Sequence, residues 1–156
     1  GMHVTVTAGP TREAMDPVRF LSNHSTGKMG YAIARSAKMR GAEVTLISGP
    51  VALEPLDGVR MIPVTSACDM REAVMQALPQ SDLVIKAAAV GDYRPATFQD
   101  DKIKKHDDDM SVSLVRNPDI LAEIGEKRRD DQVICGFSME TRDLLENSTK
   151  KLQKKN

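Results

Sequence analysis

The stretch Leu83-Val84-Ile85-Lys86-Ala87-Ala88-Ala89-Val90 is an almost unbroken apolar run of strand length, introduced by Asp82 and stopped by Gly91. Without polar alternation, such a run predicts a central parallel strand covered on both faces. Working outward, residues 4–7 read as a first strand closed by Ala8-Gly9-Pro10, residues 43–48 as a second broken by Gly49-Pro50, and residues 59–64 as a third. A helix is predicted from about Ser25 to Arg40, stopped by Gly41. A second opens at the cap Ser66, with Met70, Ala73, Val74, Ala77 and Leu78 at helical spacing. Strand, helix, strand, strand, helix, strand in this order predicts an α/β fold. Its expected form is a doubly wound, mostly parallel sheet with helices on both faces, Rossmann-like.

The remaining segments are less regular. Residues 11–23 read as a polar loop leading into Ser22-Asn23-His24-Ser25-Thr26-Gly27-Lys28-Met29-Gly30. The hydroxyls of Ser25 and Thr26 are expected to cap the first helix, whose buried stripe is expected at Met29, Ala32, Ile33, Ser36 and Ala37. That helix start is either an ordinary cap or a phosphate site, since its free N–H groups, partial positive charge and Lys28 suit an anion. Residues 91–109, rich in Asp and Lys and without periodicity, read as a long lid loop. Residues 111–116 alternate like a strand. Asn117-Pro118-Asp119 reads as a helix start with Asn117 as cap, burying Ile120, Leu121 and Ile124. Residues 132–139 are the next expected strand, and Thr141 opens a last helix with Leu144, Leu145, Ser148 and Leu152 inward. A final helix without a following strand leads to the expectation that a C-terminal portion of the fold is missing.

The 156 residues suit one domain, 1–156, with a core that must be aliphatic, because there are three Phe, two Tyr and no Trp. Lys plus Arg and Asp plus Glu both number 22, so charge gives no reason to expect nucleic acid or a membrane as partner. Cys68 and Cys135 lack CxxC spacing and sit among apolar neighbours, and they read as buried thiols of a reducing compartment. With no apolar run of spanning length and no signal peptide, a cytoplasmic protein is expected. His3, His24 and His106 have no ligand spacing, so no metal site is assigned.

Ligands of doubly wound sheets bind beyond the carboxyl ends of the strands. Asn23, Asp92, Lys102 and Phe137 therefore belong to one edge. Lys28 is followed by Met29 and the position five before Gly27 is Ser22, so there is no Walker A loop; no GxGxxG follows the first strand either. Asp92 is either a ribose-binding acid or a turn former. Lys102, Lys104 and Lys105 either close over a phosphate or are merely solvated, and Lys151 and Lys155 share one helix face.

Several blocks in this order resemble one family. They are Ala8-Gly9-Pro10-Thr11-Arg12-Glu13, Asp16-Pro17-Val18-Arg19-Phe20, Ser22 to Gly30 as quoted above, Ala87-Ala88-Ala89-Val90 with Asp92-Tyr93-Arg94, Lys102-Ile103-Lys104-Lys105, Asn117-Pro118-Asp119-Ile120-Leu121, and Gly136-Phe137 with Glu140-Thr141. Together they resemble the bacterial phosphopantothenoylcysteine synthetase domain, the C-terminal half of a bifunctional protein of coenzyme A biosynthesis. The resemblance implies a ligase that joins 4′-phosphopantothenate and cysteine through an acyl-cytidylate, consuming CTP. It assigns catalysis to Asn23 and Lys102 and nucleotide binding to Ala87, Ala88, Asp92, Pro118, Asp119, Ile120, Leu121, Phe137, Lys151 and Lys155. Arg19 and Lys28, with Ser25, Thr26 and Gly27, are the candidates for the substrate phosphate. Mg²⁺ is expected with the triphosphate, no FMN is expected in this half, and a homodimer and a fused FMN-dependent decarboxylase domain are implied. The family continues past the Lys-Asn at the end of this chain, which implies truncation. Two other classes stay open: a non-catalytic nucleotide-binding module, and a dinucleotide-dependent oxidoreductase, to which the missing GxGxxG is an objection.

Overall fold

The first strand is the middle of the sheet, and the order of everything else follows from which side of it each later strand takes. A computed structural model of the chain describes residues 1–99, 109–138 and 144–155. In chain order the elements are β1 (His3–Ala8), a short pair β2 (Arg12–Ala14) and β3 (Phe20–Ser22), α1 (Lys28–Met39), β4 (Glu43–Ser48) and β5 (Arg60–Pro63). There follow α2 (Ala67–Ala77) with a 3-10 turn at Leu78–Gln80, β6 (Leu83–Lys86), β7 (Tyr93–Pro95), β8 (Leu114–Arg116), α3 (Ile120–Lys127), β9 (Val133–Gly136) and α4 (Leu144–Lys155). Five strands form one parallel sheet in the order β5-β4-β1-β6-β9. β1 pairs His3 with Glu43 through Ala8 with Ser48 on one side, and Val4 with Leu83 through Thr7 with Lys86 on the other. This is the doubly wound α/β fold expected from the apolar run.

Alternation along β1 and β4 divides the core into two layers. Val4, Val6, Ala8, Val44 and Leu46 pack with Tyr31 and Ala34 of α1. Ile47, Val84 and the stripe Met70, Ala73, Val74 and Leu78 pack with Ile120 and Ile124 of α3 on the opposite face. Ser66 caps α2 by accepting from the Asp69 N–H at 3.1 Å while Asp69 accepts from the Ser66 N–H at 3.0 Å, a complete capping box.

Several expectations need correction. α1 starts at Lys28 behind Gly27, and the Ser25 and Thr26 hydroxyls do not cap it. Instead they accept from the N–H groups of Gly27 and Lys28, two residues on. The buried face of α1 is Gly30, Tyr31 and Ala34, with Ile33 and Ala37 beside it, and Met29 is 58% exposed. The stripe is displaced by one position because Gly30 must lie against β1 and the Tyr31 hydroxyl donates to Ser48 Oγ at 2.9 Å. The expected loop at 11–23 holds an antiparallel hairpin, β2 with β3, turned by Asp16 Oδ1 accepting from the Val18 and Arg19 N–H groups. The expected lid begins with β7, which pairs with β8, while 100–108 lie outside the described residues. Asp119, not Asn117, caps α3, accepting from the Ala122 N–H at 3.1 Å. Both cysteines are exposed: an apolar sequence neighbourhood does not decide which way a side chain points at a helix start or along β9. Leu152 is 72% exposed, not inward, and the expected start of the last helix at Thr141 lies outside the described residues. Among the described residues no helix is long and apolar enough to cross a membrane.

α2 and α3 are tied by charge as well as by packing. Arg71 Nε and Nη2 donate to the two Glu123 carboxylate oxygens at 2.7 and 2.6 Å, and Lys127 Nζ donates to Glu123 at 2.8 Å. The Arg71 hydrogen bonds, then those of Lys127, hold the Glu123 carboxyl at about 2 against an ordinary 4.5. Because the folded value lies below the unfolded one, this stabilisation is fully present above about pH 4.5 and is lost as pH falls toward 2. Glu123→Gln should therefore lower the melting temperature at neutral pH and flatten its fall between those two values. Parallel acid limbs for the two proteins in pH-dependent thermal melts would refute the assignment.

Candidate functional site

The chain leaves β1 toward β4 and leaves β6 toward β9, so the adjacent carboxyl ends of β1 and β6 form the topological switch point. Small residues let the backbones close in there. A Cβ on Gly30 would collide with the Ala8 side chain, and one on Gly49 would collide with the Pro10 carbonyl. Gly9 and Gly27 adopt φ of +77° and +81°, where an L side chain is strained, and at either a Cβ would also strike Val51. Each strand-to-helix connection at this point carries a hairpin: β2–β3 between β1 and α1, and β7–β8 between β6 and α3. β2 lies against β7, so the two hairpins support each other over the crevice.

Buried polar groups fix this arrangement. Glu13, 4% exposed, accepts from the Ala67 N–H at 3.1 Å, joining β2 to the positive end of α2. Thr11, 1% exposed, donates its N–H to the Ala89 carbonyl at 3.3 Å and accepts from the Gly91 N–H at Oγ1 at 2.8 Å. Asn23 Nδ2 lies 3.4 Å from the carbonyl oxygens of both Ala89 and Val90. On the far side, Asn117 Nδ2 donates to the Gly91 carbonyl at 2.8 Å and the Asn117 N–H to that of Asp92 at 2.8 Å.

The strip 88–93 forms one wall of a cleft of roughly 720 Å³. Residues 116–121 at the start of α3 and 136–138 after β9 form the others, with Lys86 at the base and Lys151, Leu152 and Lys154 contributed by α4. Four cationic side chains, Lys86, Arg116, Lys151 and Lys154, line it against two carboxylates, Asp92 and Asp119. Positive lining charge and the N-terminus of α3 favour an anionic ligand, and the size suits a small organic molecule. Phe137, 54% exposed, offers an aromatic face.

Of the expected nucleotide-binding residues, Ala88, Asp92, Pro118, Asp119, Ile120, Leu121, Phe137 and Lys151 all line this one cleft. Ala87 stays in the sheet layer with its N–H on the Thr7 carbonyl at 3.2 Å. Lys155 ends α4, and Lys102 lies outside the described residues. Arg19 sits 3.8 Å from the buried Asp16 carboxylate at the tip of β2–β3, apart from the cleft, and Ser25, Thr26, Gly27 and Lys28 do not line it. Sequence reasoning missed Thr11, Glu13, Lys86 and Lys154 as parts of the site. Glu13 alone carried a signal, as an acid in a segment with apolar Ala14 and Met15 behind it. Among the described residues no three His, Cys, Asp or Glu side chains come together as a metal cage.

The fold and cleft define a doubly wound α/β domain with a positively lined cleft beyond the carboxyl ends of β6 and β9. The family model described as the DNA/pantothenate metabolism flavoprotein C-terminal domain matches residues 1–156, and the chain belongs to this family. The Coenzyme A biosynthesis bifunctional protein CoaBC of Bacillus subtilis (strain 168) is 55% identical over 157 residues, covering 100% of this chain and 38% of that protein. The protein of the same name from Vibrio vulnificus (strain YJ016) is 48% identical over 154 residues, covering 97% of this chain and 38% of its own length. The chain thus spans well under half of these curated relatives. The crystal structure of the C-terminal domain of Coenzyme A biosynthesis bifunctional protein CoaBC superposes with a TM-score of 0.88 at 49% identity, covering all of this chain and 74% of that one.

Removing the Glu13 carboxylate leaves the Ala67 N–H without its partner and frees β2 from α2. Glu13→Ala should cost about 1–3 kcal/mol, read from urea unfolding midpoints. A loss within error of zero would show that the contact carries nothing.

Proposed function

We propose that the chain is a phosphopantothenate-cysteine ligase domain of coenzyme A biosynthesis that uses CTP. The observation that carries the reading is that the Asn23 amide reaches the backbone of the strip that walls the cleft. Two reacting partners can thus meet across one short stretch of backbone. Family membership and the coenzyme A biosynthesis role of the CoaBC relatives support the same reading.

In the first step a carboxylate oxygen of 4′-phosphopantothenate attacks the α-phosphorus of CTP, and the bond to the leaving pyrophosphate breaks. The nucleotide occupies the cleft with its phosphates toward the start of α3 and Lys151 of α4; a role for Lys155 rests on the resemblance. Asp92 takes ribose hydroxyls, and backbone groups near Phe137 and Ala88 read the base edge. Lys102 neutralises charge developing on the phosphates; its role rests on the resemblance. In the second step the cysteine amine attacks the acyl carbonyl and CMP departs with the electron pair of the broken bond. Asn23 holds that carbonyl in line, while Arg19, Lys28 and the Ser25–Gly27 turn are the groups available to the substrate phosphate.

A Mg²⁺ ion bound with the triphosphate would offset its charge. Such an ion would be held mainly by phosphate oxygens and water. A homodimer, a cytoplasmic location and fusion to an FMN-dependent decarboxylase domain belong to the same proposal.

The protein incubated with CTP, phosphopantothenate and cysteine should release pyrophosphate and CMP in equal amounts. CTP binding without pyrophosphate release would favour a non-catalytic module, and tight NADPH binding an oxidoreductase. Lys102→Gln should cut pyrophosphate release by roughly a hundredfold or more with the circular dichroism spectrum unchanged; near-normal release would remove it from the mechanism. Asn23→Asp should let acyl-cytidylate accumulate, seen by mass spectrometry after a chemical quench. An unaltered amide-forming rate would sink that role.

A further inference from the structure

We propose that Thr11 and Asn117 are positioning residues that clamp the Gly91 peptide from its two sides and so hold the acyl-transfer and nucleotide halves of the site in register. The proposal rests on the ligase reading for its kinetic consequence and on geometry alone for the clamp. Gly91 donates its N–H to Thr11 Oγ1 at 2.8 Å and accepts at its carbonyl from Asn117 Nδ2 at 2.8 Å.

Each clamp residue is itself tied to a different half of the site. Thr11 binds Ala89 through its N–H, and its carbonyl accepts from Ser22 Oγ at 2.8 Å, one residue before Asn23. The two carbonyls that Asn23 reaches, those of Ala89 and Val90, immediately precede Gly91, and that of Val90 belongs to the same peptide unit as the N–H held by Thr11. Asn117 is fixed by Arg94 Nη1 on its Oδ1 at 3.1 Å and by its own N–H on Asp92, and it precedes Pro118 and the cap Asp119 in the cleft wall. If Thr11 releases Gly91, the anchor of Asn23 drifts; if Asn117 releases it, Asp92 and the α3 turn drift. A misplacement of about 1 Å can cost on the order of a hundredfold in rate, so the two losses are expected to appear in different kinetic constants.

The test compares Thr11→Val, Thr11→Ser and Asn117→Asp. Valine keeps the shape of threonine without the acceptor, and serine restores the acceptor. The Asn117→Asp change keeps an acceptor for Arg94 but loses the donor to Gly91. Amide hydrogen exchange by NMR should show the Gly91 N–H exchanging at least about tenfold faster in Thr11→Val and returning toward normal in Thr11→Ser. Thr11→Val should slow amide formation roughly ten- to a hundredfold while leaving the KM for CTP within about twofold, and Thr11→Ser should recover it. Asn117→Asp should mainly raise the KM for CTP. A merely structural role predicts lower melting temperatures with both constants falling together in both variants, and that result overturns the proposal, as does unchanged Gly91 protection in Thr11→Val. If the unaltered protein shows no turnover, the ligase reading fails and hydrogen exchange alone decides the clamp. Should Thr11→Val not fold, the half-buried Asn117 position decides: a KM for CTP unchanged in Asn117→Asp overturns the proposal.

Discussion

Close backbone approach at the carboxyl end of β1 is the constraint on which the rest of this structure depends. Ala8, Gly9 and Pro10 are met by Gly30 from α1, by Gly49 from the end of β4 and by Gly27 from the loop before α1. At Gly30 and Gly49 the contact leaves no room for a side chain, and at Gly27 a Cβ would strike Val51. Because the helix can sit this near the strand, the Asn23 loop is carried over β1 to the edge of β6, where Ala89 and Val90 expose their carbonyls. Hydrophobic packing holds the two layers together, but it is the absence of side chains at this point that brings two segments of distant sequence into contact.

The framework was largely legible in the sequence. The apolar run at 83–90 announces a parallel strand; the regular strand ends at Lys86, Ala87 and Ala89 still donate to the Thr7 and Gly9 carbonyls, and 88–90 form the cleft wall. β4 occupies the expected residues, and Ser66 caps α2 as expected. What was not legible depended on tertiary partners. The buried face of α1 is set by Ala8 and Ser48, not by the most apolar periodicity available to the helix, so Met29 is left outside. The three-residue strands β2, β3 and β7 are too short for any alternation to register, whereas the alternation at 111–116 does mark β8. Asn117 had the chemistry of a cap, yet its Oδ1 accepts from Arg94 Nη1 while its Nδ2 donates to the Gly91 carbonyl, and Asp119 takes the cap instead.

The cleft itself was legible in part. Strand ends and the Asn117 to Leu121 turn converge as the topology rule demands, and Lys151 lines the same space. Lys86 was hidden inside an apolar run, where its charge looked like an interruption of a strand and not the base of a pocket. Thr11 and Glu13 were hidden for the opposite reason: a polar segment looks exposed, whereas these two side chains are among the least accessible in the chain.

The two hairpins interrupt corresponding connections on either side of the switch point, each leaving a strand of the sheet and returning to the helix that follows. Neither contributes a strand to the five-stranded sheet. The sheet is therefore complete without either hairpin, and what the hairpins add lies at the rim of the crevice, anchored from beneath by the buried Thr11, Glu13 and Asp16.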